Sequence, residues 1–365
     1  MLNRAALSTL DSIEEFIELA YKEEWTDGLP VYPATPKLLD EMLGYLGRDP
    51  QEIIGVVHPG DGEATVEKIA INCIMAGCRP EYAPVVIAAV EAMTDPSFML
   101  SPLQSTGSPA LLCMVSGPAV KQLGFNTREW VFGGNGGRAN ATIGRALRLV
   151  HWNIGRARAG ALMKGTMGHP AAWSYCIGEE SELNPWPPFT TDLGLAADVS
   201  AVTLFKAGTH LPVWSASELV DISQSISLLA DELGALRPVP DYMRGQRNII
   251  LVINPSYAQL LAKAGITKQE FKQALAKQAY SWASPVDFVS GQYLKTDIEQ
   301  APEGPANPLR LPVIPEVNDL IVVVSGAPGA ARSQCTAIAG FSHVGKGFIS
   351  KPVHFPKGAS HASSL

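Results

Sequence analysis

The sequence predicts an α/β protein, with a helix-rich mixed α/β region over residues 1–195 and a smaller C-terminal α/β layer over 196–365. Three observations support this. Amphipathic segments with the three-four spacing of helices dominate the first half, strand-like apolar runs alternate with helices beyond Pro188, and 46% hydrophobic against 17% charged residues suits a well-buried core. At 365 residues the chain has the length for two domains of ordinary size.

Asp11, with Glu14 three residues on, reads as a helix cap and its partner, followed by the apolar stripe Ile13, Phe16, Ile17 and Ala20. Trp25 to Val31 reads as a turn and an extended piece. Thr35-Pro36 opens a second helix, because proline at the first helical position has no N–H to waste, and Gly47 closes it. Val66, Ile69, Ala70, Cys73 and Ile74 form one buried helical face ending at Gly77. Pro80 is expected to begin another helix running through Met93. Ala110 to Val115 reads as a buried strand. A long helix starts near Asn140 on the stripe Ile143, Ala146, Leu147, Val150 and Ile154, and a strand is expected over Trp173 to Ile177. In the second half, strands are expected at 202–205, 249–253 and 320–324, with helices at 217–233, 256–264 and 268–280. Proline-rich stretches at 184–188 and 301–315 mark loops, and the domain division is placed near 195.

A net charge of −7 without a basic run argues against nucleic acid. No apolar run approaches the ~20 residues needed to span a bilayer, and no secretory signal precedes the first helix, so a soluble cytoplasmic protein is expected. Five scattered cysteines fit reduced thiols better than a disulfide framework.

Cys73 is in phase with a core face and reads as a small buried hydrophobe. Cys78 lies beyond Gly77 and just before the expected Pro80 helix. Free N–H groups, the helix dipole and Arg79 would favour its thiolate, or the thiol is buried in a helix corner. The loop Gly133 to Gly137 leading to Arg138 and Asn140 reads either as a carboxylate or phosphate cradle, or as a tight loop with Arg145 and Arg148 on a solvated face. His169 suits acid–base work, with Glu179 or Glu180 to orient it, or is a turn histidine beside an acidic loop. Lys68 and Asn72, one helical turn apart, line a cleft or a surface ridge. Ser325 to Gly329 follows a strand, the usual place for a ligand loop, with Ser333 and Cys335 just beyond.

The stretches WTDGLPVYP, TVEKIAINCIMAGCRPEY with APVVIAAVEAM, GRANATIGRALRL, GHPAAWSYCI and VINPSYAQLLAKAG cover most of the chain from Trp25 to about Gly265. In these the chain resembles a largely uncharacterised bacterial family, loosely associated with selenoproteins bearing a Sec-Gly-Ser-Cys motif. That resemblance implies no established reaction, and the family's glycine loop corresponds here to SGAPGAARS. The expected function is a cysteine-dependent enzyme acting on a small anion. Cys78, His169 and Lys68 form its catalytic set, and Arg79, Asn72, Arg138, Asn140 and Arg145 its binding set. No cofactor is read from the residues. The alternatives are a non-catalytic subunit of a two-protein thiol or selenol complex, and a metal protein using Cys78 with His169 or Cys176. A protein partner or a homo-oligomer fits the first of these.

Overall fold

The computed structural model describes residues 12–133, 136–215, 220–236, 248–283, 309–329, 334–341 and 344–356. It is an α/β fold. The elements of the first half are α1 (Ile13–Lys22), α2 (Pro36–Leu46), β1 (Ile53–Val57), β2 (Gly62–Thr65), α3 (Val66–Met75), α4 (Ala83–Met93), β3 (Ala110–Ser116), α5 (Arg138–Asn153) and β4 (Cys176–Gly178). Then come β5 (Ala201–Ala207), β6 (Leu211–Trp214), α6 (Ile222–Leu233), β7 (Ile249–Ile253), α7 (Pro255–Lys263), α8 (Lys268–Gln278), β8 (Tyr280–Ala283), β9 (Leu309–Pro312), β10 (Leu320–Val324), β11 (Gln334–Ala339) and β12 (Phe348–Pro352).

Two four-stranded mixed sheets organise the molecule, in the orders β12-β5-β3-β4 and β10-β7-β11-β6. Their inner faces meet in one apolar layer, where Leu112, Met114, Ile177 and Phe205 pack with Ile250, Val252, Ile321, Val323 and Ile338. The outer face of the first sheet, through Cys113, Val115, Val202 and Leu204, lies under helices α1 to α5. The outer face of the second lies under α6, α7 and α8. The layers therefore run helix, sheet, sheet, helix, and the strands inside the sandwich are covered on both sides. That explains why β7 and β10 are continuous apolar runs rather than alternating ones, and why all of β5 is buried although it carries Thr203 and Lys206.

The division expected near residue 195 does not coincide with a break between sheets. β5, from beyond it, pairs antiparallel with β3, which comes from before it, and β12 pairs antiparallel with β5. Among the strands of the described residues, parallel pairing joins β3 with β4 and β10 with β7.

Local rules hold at most helix ends. Thr35 caps α2 by accepting the Leu38 N–H, and Gly47 ends the helix in the left-handed region at φ 61°. The expected Asp11 cap lies outside the described residues, and α1 is instead capped by Ser12, which accepts from Glu15 N. Pro80 opens only a 3-10 turn, Pro80–Tyr82. A continuous α-helix would need an N–H from residue 84 to the Pro80 carbonyl. Residue 84 is proline, so Ala83 donates there instead and α4 starts three residues late. α4 is buried nearly all round, as befits the helix at the centre of its layer.

α5 begins at Arg138 rather than Asn140. The strand expected from Trp173 is shorter, Cys176–Gly178, because Pro170–Ala172 and Trp173 form a 3-10 turn. α6 starts at Ile222 behind an Asp221 cap, and Ser217 and Ser333 lie outside the described residues. No helix among the described residues is long and apolar enough to cross a membrane.

Candidate functional site

Cys78 follows the left-handed Gly77 (φ 84°), and its own N–H donates to the Cys73 carbonyl at 2.9 Å. It is 7% exposed and its thiol hydrogen-bonds that of Cys73. Cys113 and Cys176 face each other across the parallel β3–β4 pair and also hydrogen-bond. All four thiols belong to one buried cluster between the helix layer and the first sheet. The hydrogen bond that the Cys73 thiol donates toward Cys78, then burial, push the Cys73 thiol up; for Cys176 burial acts first, then Cys113. Among the described residues, no group of three or more His, Cys, Asp or Glu is arranged to hold a metal ion.

Because all five cysteines are free and buried, we expect a water-soluble disulfide probe to react with no thiol quickly in the native protein and with five after denaturation. One fast thiol, lost in Cys78→Ser, would mark Cys78 as an activated thiolate.

Most residues of the expected binding set have their polar atoms engaged within the chain. Arg138 forks onto the Gly77 carbonyl, at 3.1 Å from Nε and 2.9 Å from Nη2, which pins the first turn of α5 to the turn that carries Cys78. Asn140 is buried and clamps Asn126, accepting its N–H at 2.8 Å and donating to its carbonyl at 3.0 Å. Arg145 forks onto the fully buried Asp27 carboxylate at 3.1 and 2.7 Å and donates to the Leu29 carbonyl. Asn72 is buried, not ridge-forming. It donates to Lys68 O and accepts from Asn153, because α3 is covered on almost every side. Lys68 is exposed and donates to Glu63 O at 2.8 Å. Arg79 is exposed beside Tyr82 and Cys78.

His169 stands apart from this group. It lines a cavity of about 170 Å³ whose polar walls include Arg148, His151, His169, Tyr175 and Ser108, and whose apolar walls include Leu103, Leu111, Leu147 and Met163. Neither Cys78 nor Arg138 lines it. Gly144 on α5 separates the two regions. A Cβ there would come within 2.4 Å of Ser174 Oγ and 3.1 Å of Cys176 Cβ, so only glycine lets the segment before β4 seat beside the thiols. A larger cavity, about 430 Å³, lies along the edge strand β12. It is lined by Leu193, Lys346, Phe348 and Ser350 among others, and by no residue of the candidate set.

The electrostatics of the smaller cavity are unusual. The Arg148 guanidinium is half-buried and sits 5.0 Å from the Trp152 ring centroid. Among the described residues no carboxylate pairs with it, since the near acid, Asp27, is taken by Arg145. Burial pulls it below the ordinary arginine range, Asp27 acts the other way, and Arg145 adds to the lowering; it remains a cation at neutral pH.

His151 is wholly buried. Burial, then the Arg148 charge, lower it to about 3 against a bond to the His58 backbone, so it is neutral. His169 is lowered by burial too, and its Nδ1 accepts the Ala171 N–H at 3.1 Å, which leaves the ring hydrogen on Nε2. Its ring stacks on Tyr175 at 5.8 Å, and Tyr175 Oη meets His210 Nδ1 at 2.9 Å.

The acids expected to orient His169 do other work. Glu179 accepts the Phe189 N–H at 3.0 Å, and Glu180 accepts from Thr127 Oγ1 at 2.7 Å and from Glu182 N at 2.7 Å. The loop after β10 braces the sheets, with Ser325 Oγ donating to Gly178 O at 2.8 Å.

Arg148, His151, Tyr175 and His210 are absent from the sequence-derived set. A signal for the first two existed: Gly144, Leu147, Arg148 and His151 fall at helical spacing on one stripe, putting a cation and an imidazole beside apolar core positions. No family model matches the chain, and no curated protein matches it.

Proposed function

We propose that this protein is an enzyme acting on a small carboxylate-bearing molecule, bound in the cavity between α5 and the 159–175 segment. The observation that carries this reading is Arg148: a half-buried guanidinium, without an acid partner among the described residues, beside two imidazoles that burial keeps uncharged. A guanidinium in such a place gains most by pairing with a planar anion, and the low-dielectric walls strengthen that pairing. Tyr175, stacked under His169 and joined to His210, fixes the donor side of the site. The anionic substrate class expected from the sequence is retained, and its seat moves from Arg138 to Arg148.

Thiol chemistry at Cys78 is the second reading. It is favoured by the contact of Cys78 with Cys73, by Arg79 close by, and by Cys176 lying against the Gly144 wall of the cavity. Membership of the bacterial family that the chain resembles belongs to the same proposal.

The test is ligand-induced thermal stabilisation with acetate, propanoate and inorganic phosphate, each against chloride at equal ionic strength. Saturable stabilisation by propanoate is expected, with Arg148→Met weakening it at least tenfold. Equal stabilisation of the wild type and Arg148→Met would sink the reading.

A further inference from the structure

Two hydrogen-bond donors that line the cavity of about 170 Å³ lack an acceptor among the described residues. One is the Arg148 guanidinium, held over the Trp152 ring. The other is His169. The Ala171 N–H donates to its Nδ1 at 3.1 Å, so that nitrogen presents a lone pair and the ring hydrogen is on Nε2. Held in this tautomer, Nε2 can donate and cannot accept. Neither donor is sealed: both residues keep accessible surface, and no atom of either is among the polar atoms that the fold buries without a partner.

The two donors reach the cavity from different elements that share Tyr175 as a neighbour. A Cβ on Gly144 would come 3.0 Å from Tyr175 N, and Arg148 follows four residues on, about 6 Å along the same stripe of α5. The His169 ring stacks on the Tyr175 ring at 5.8 Å. No carboxylate or amide side chain lines the cavity among the described residues. Its volume is that of roughly six waters, which admits a ligand of about six non-hydrogen atoms.

We propose, resting on the reading above, that the ligand is a short 2-oxo acid: its carboxylate pairs with Arg148 and its carbonyl oxygen accepts the His169 Nε2 hydrogen. The polar end of such a molecule consists of acceptors alone, which matches walls whose unpaired groups are donors. Leu103, Leu111 and Met163 supply the apolar wall for its remaining carbon. A second carboxylate fits less well, because Arg148 is one cation and burial opposes charge on His169. An ammonium would face two donors and the Arg148 charge. A hydroxyl can take the His169 hydrogen, but it finds no carboxylate or amide on the wall to receive its own.

The experiment is calorimetric titration of the full chain with pyruvate, propanoate, lactate and malonate. Pyruvate is expected to bind about tenfold tighter than propanoate, with lactate and malonate each weaker than pyruvate. His169→Phe is expected to bring the pyruvate-to-propanoate ratio to one. Equal binding of pyruvate and propanoate by the wild type, or lactate or malonate as tight as pyruvate, would overturn the carbonyl assignment while leaving the Arg148 anion site standing. Binding of none of the four removes both. A tenfold preference that persists in His169→Phe would place the carbonyl on another donor and overturn the role of His169.

Nitrogen-15 NMR of the wild type decides the same point if that variant does not fold. In the free protein His169 should carry its hydrogen on Nε2, and the Nε2 resonance should move with pyruvate and not with propanoate. The opposite tautomer, or a Nε2 resonance unmoved on saturation with pyruvate, contradicts the proposal.

Discussion

Acidification from pH 6.5 to pH 4 is expected to withdraw about 3 kcal/mol of folding stability through His151 alone. Folded His151 titrates at about 3, below its ordinary 6.5, because the ring is wholly buried beside Arg148. The unfolded chain therefore takes up the proton first. The contribution is present in full above 6.5 and is lost as pH falls toward 3.

Glu179 works in the opposite sense over a neighbouring range. Burial raises it to about 7, against the pull of the Phe189 N–H, so the folded state holds a proton that the unfolded state releases. Stability from this group declines as pH rises from 4.5 to 7, by about 3 kcal/mol. In the wild type the two slopes largely cancel between 4.5 and 6.5. Single variants should separate them: in urea unfolding, His151→Gln is expected to lose stability with rising pH, and Glu179→Gln to gain it. Parallel pH profiles for the two variants would contradict the burial assigned to both groups.

Lys206→Met is expected to destabilise the protein by about 3 kcal/mol, read as a drop in the urea midpoint. Lys206 is on β5 with no exposed surface, and its ammonium donates to Phe98 O at 2.6 Å and to Met99 O and Val344 O at 3.3 Å each. It also lies 4.7 Å from the Phe98 ring centroid. One cation thus satisfies three backbone carbonyls from two loops that cross the edge of the first sheet. Methionine fills the space and leaves those carbonyls without a donor. Burial lowers Lys206 to about 8, so the unfolded state holds the proton to higher pH. Wild-type stability should therefore rise from pH 8 to 10.5 through this group, and Lys206→Met should lack that rise. An unchanged midpoint in the variant would show that the carbonyls find water or other donors.

The contrast between what the sequence disclosed and what it hid follows from the range of the interactions. Caps and stops such as Thr35, Gly47 and Gly77 are local, and they sit where the residue types place them. Strands β7 and β10 were legible as apolar runs and occupy the expected positions. Strands β1, β6, β9 and β12 were not legible. They are short and carry Gly55, Pro212, Pro312 or Pro352, which read as turn residues until a neighbouring strand recruits them.

The face-to-face packing of the two sheets depends on β5 returning to β3 and β12 to β5, pairings that span up to about 150 residues and leave no local trace. The same limit governed the site. Arg138, Asn140 and Arg145 carry the right chemistry for an anion, yet Gly77, Asn126 and Asp27 take their donors. Arg148 reads as a surface residue because nothing nearby in sequence reveals that Asp27 is already paired.

The measurement closest to the central claim is a crystal structure of the full chain grown with propanoate. The carboxylate is expected in the 170 Å³ cavity, within hydrogen-bond distance of the Arg148 guanidinium, with the chain's methyl end toward Leu111 and Met163. A carboxylate bound instead between Arg79 and Arg138 beside Cys78, with the Arg148 cavity free of ligand, would contradict it.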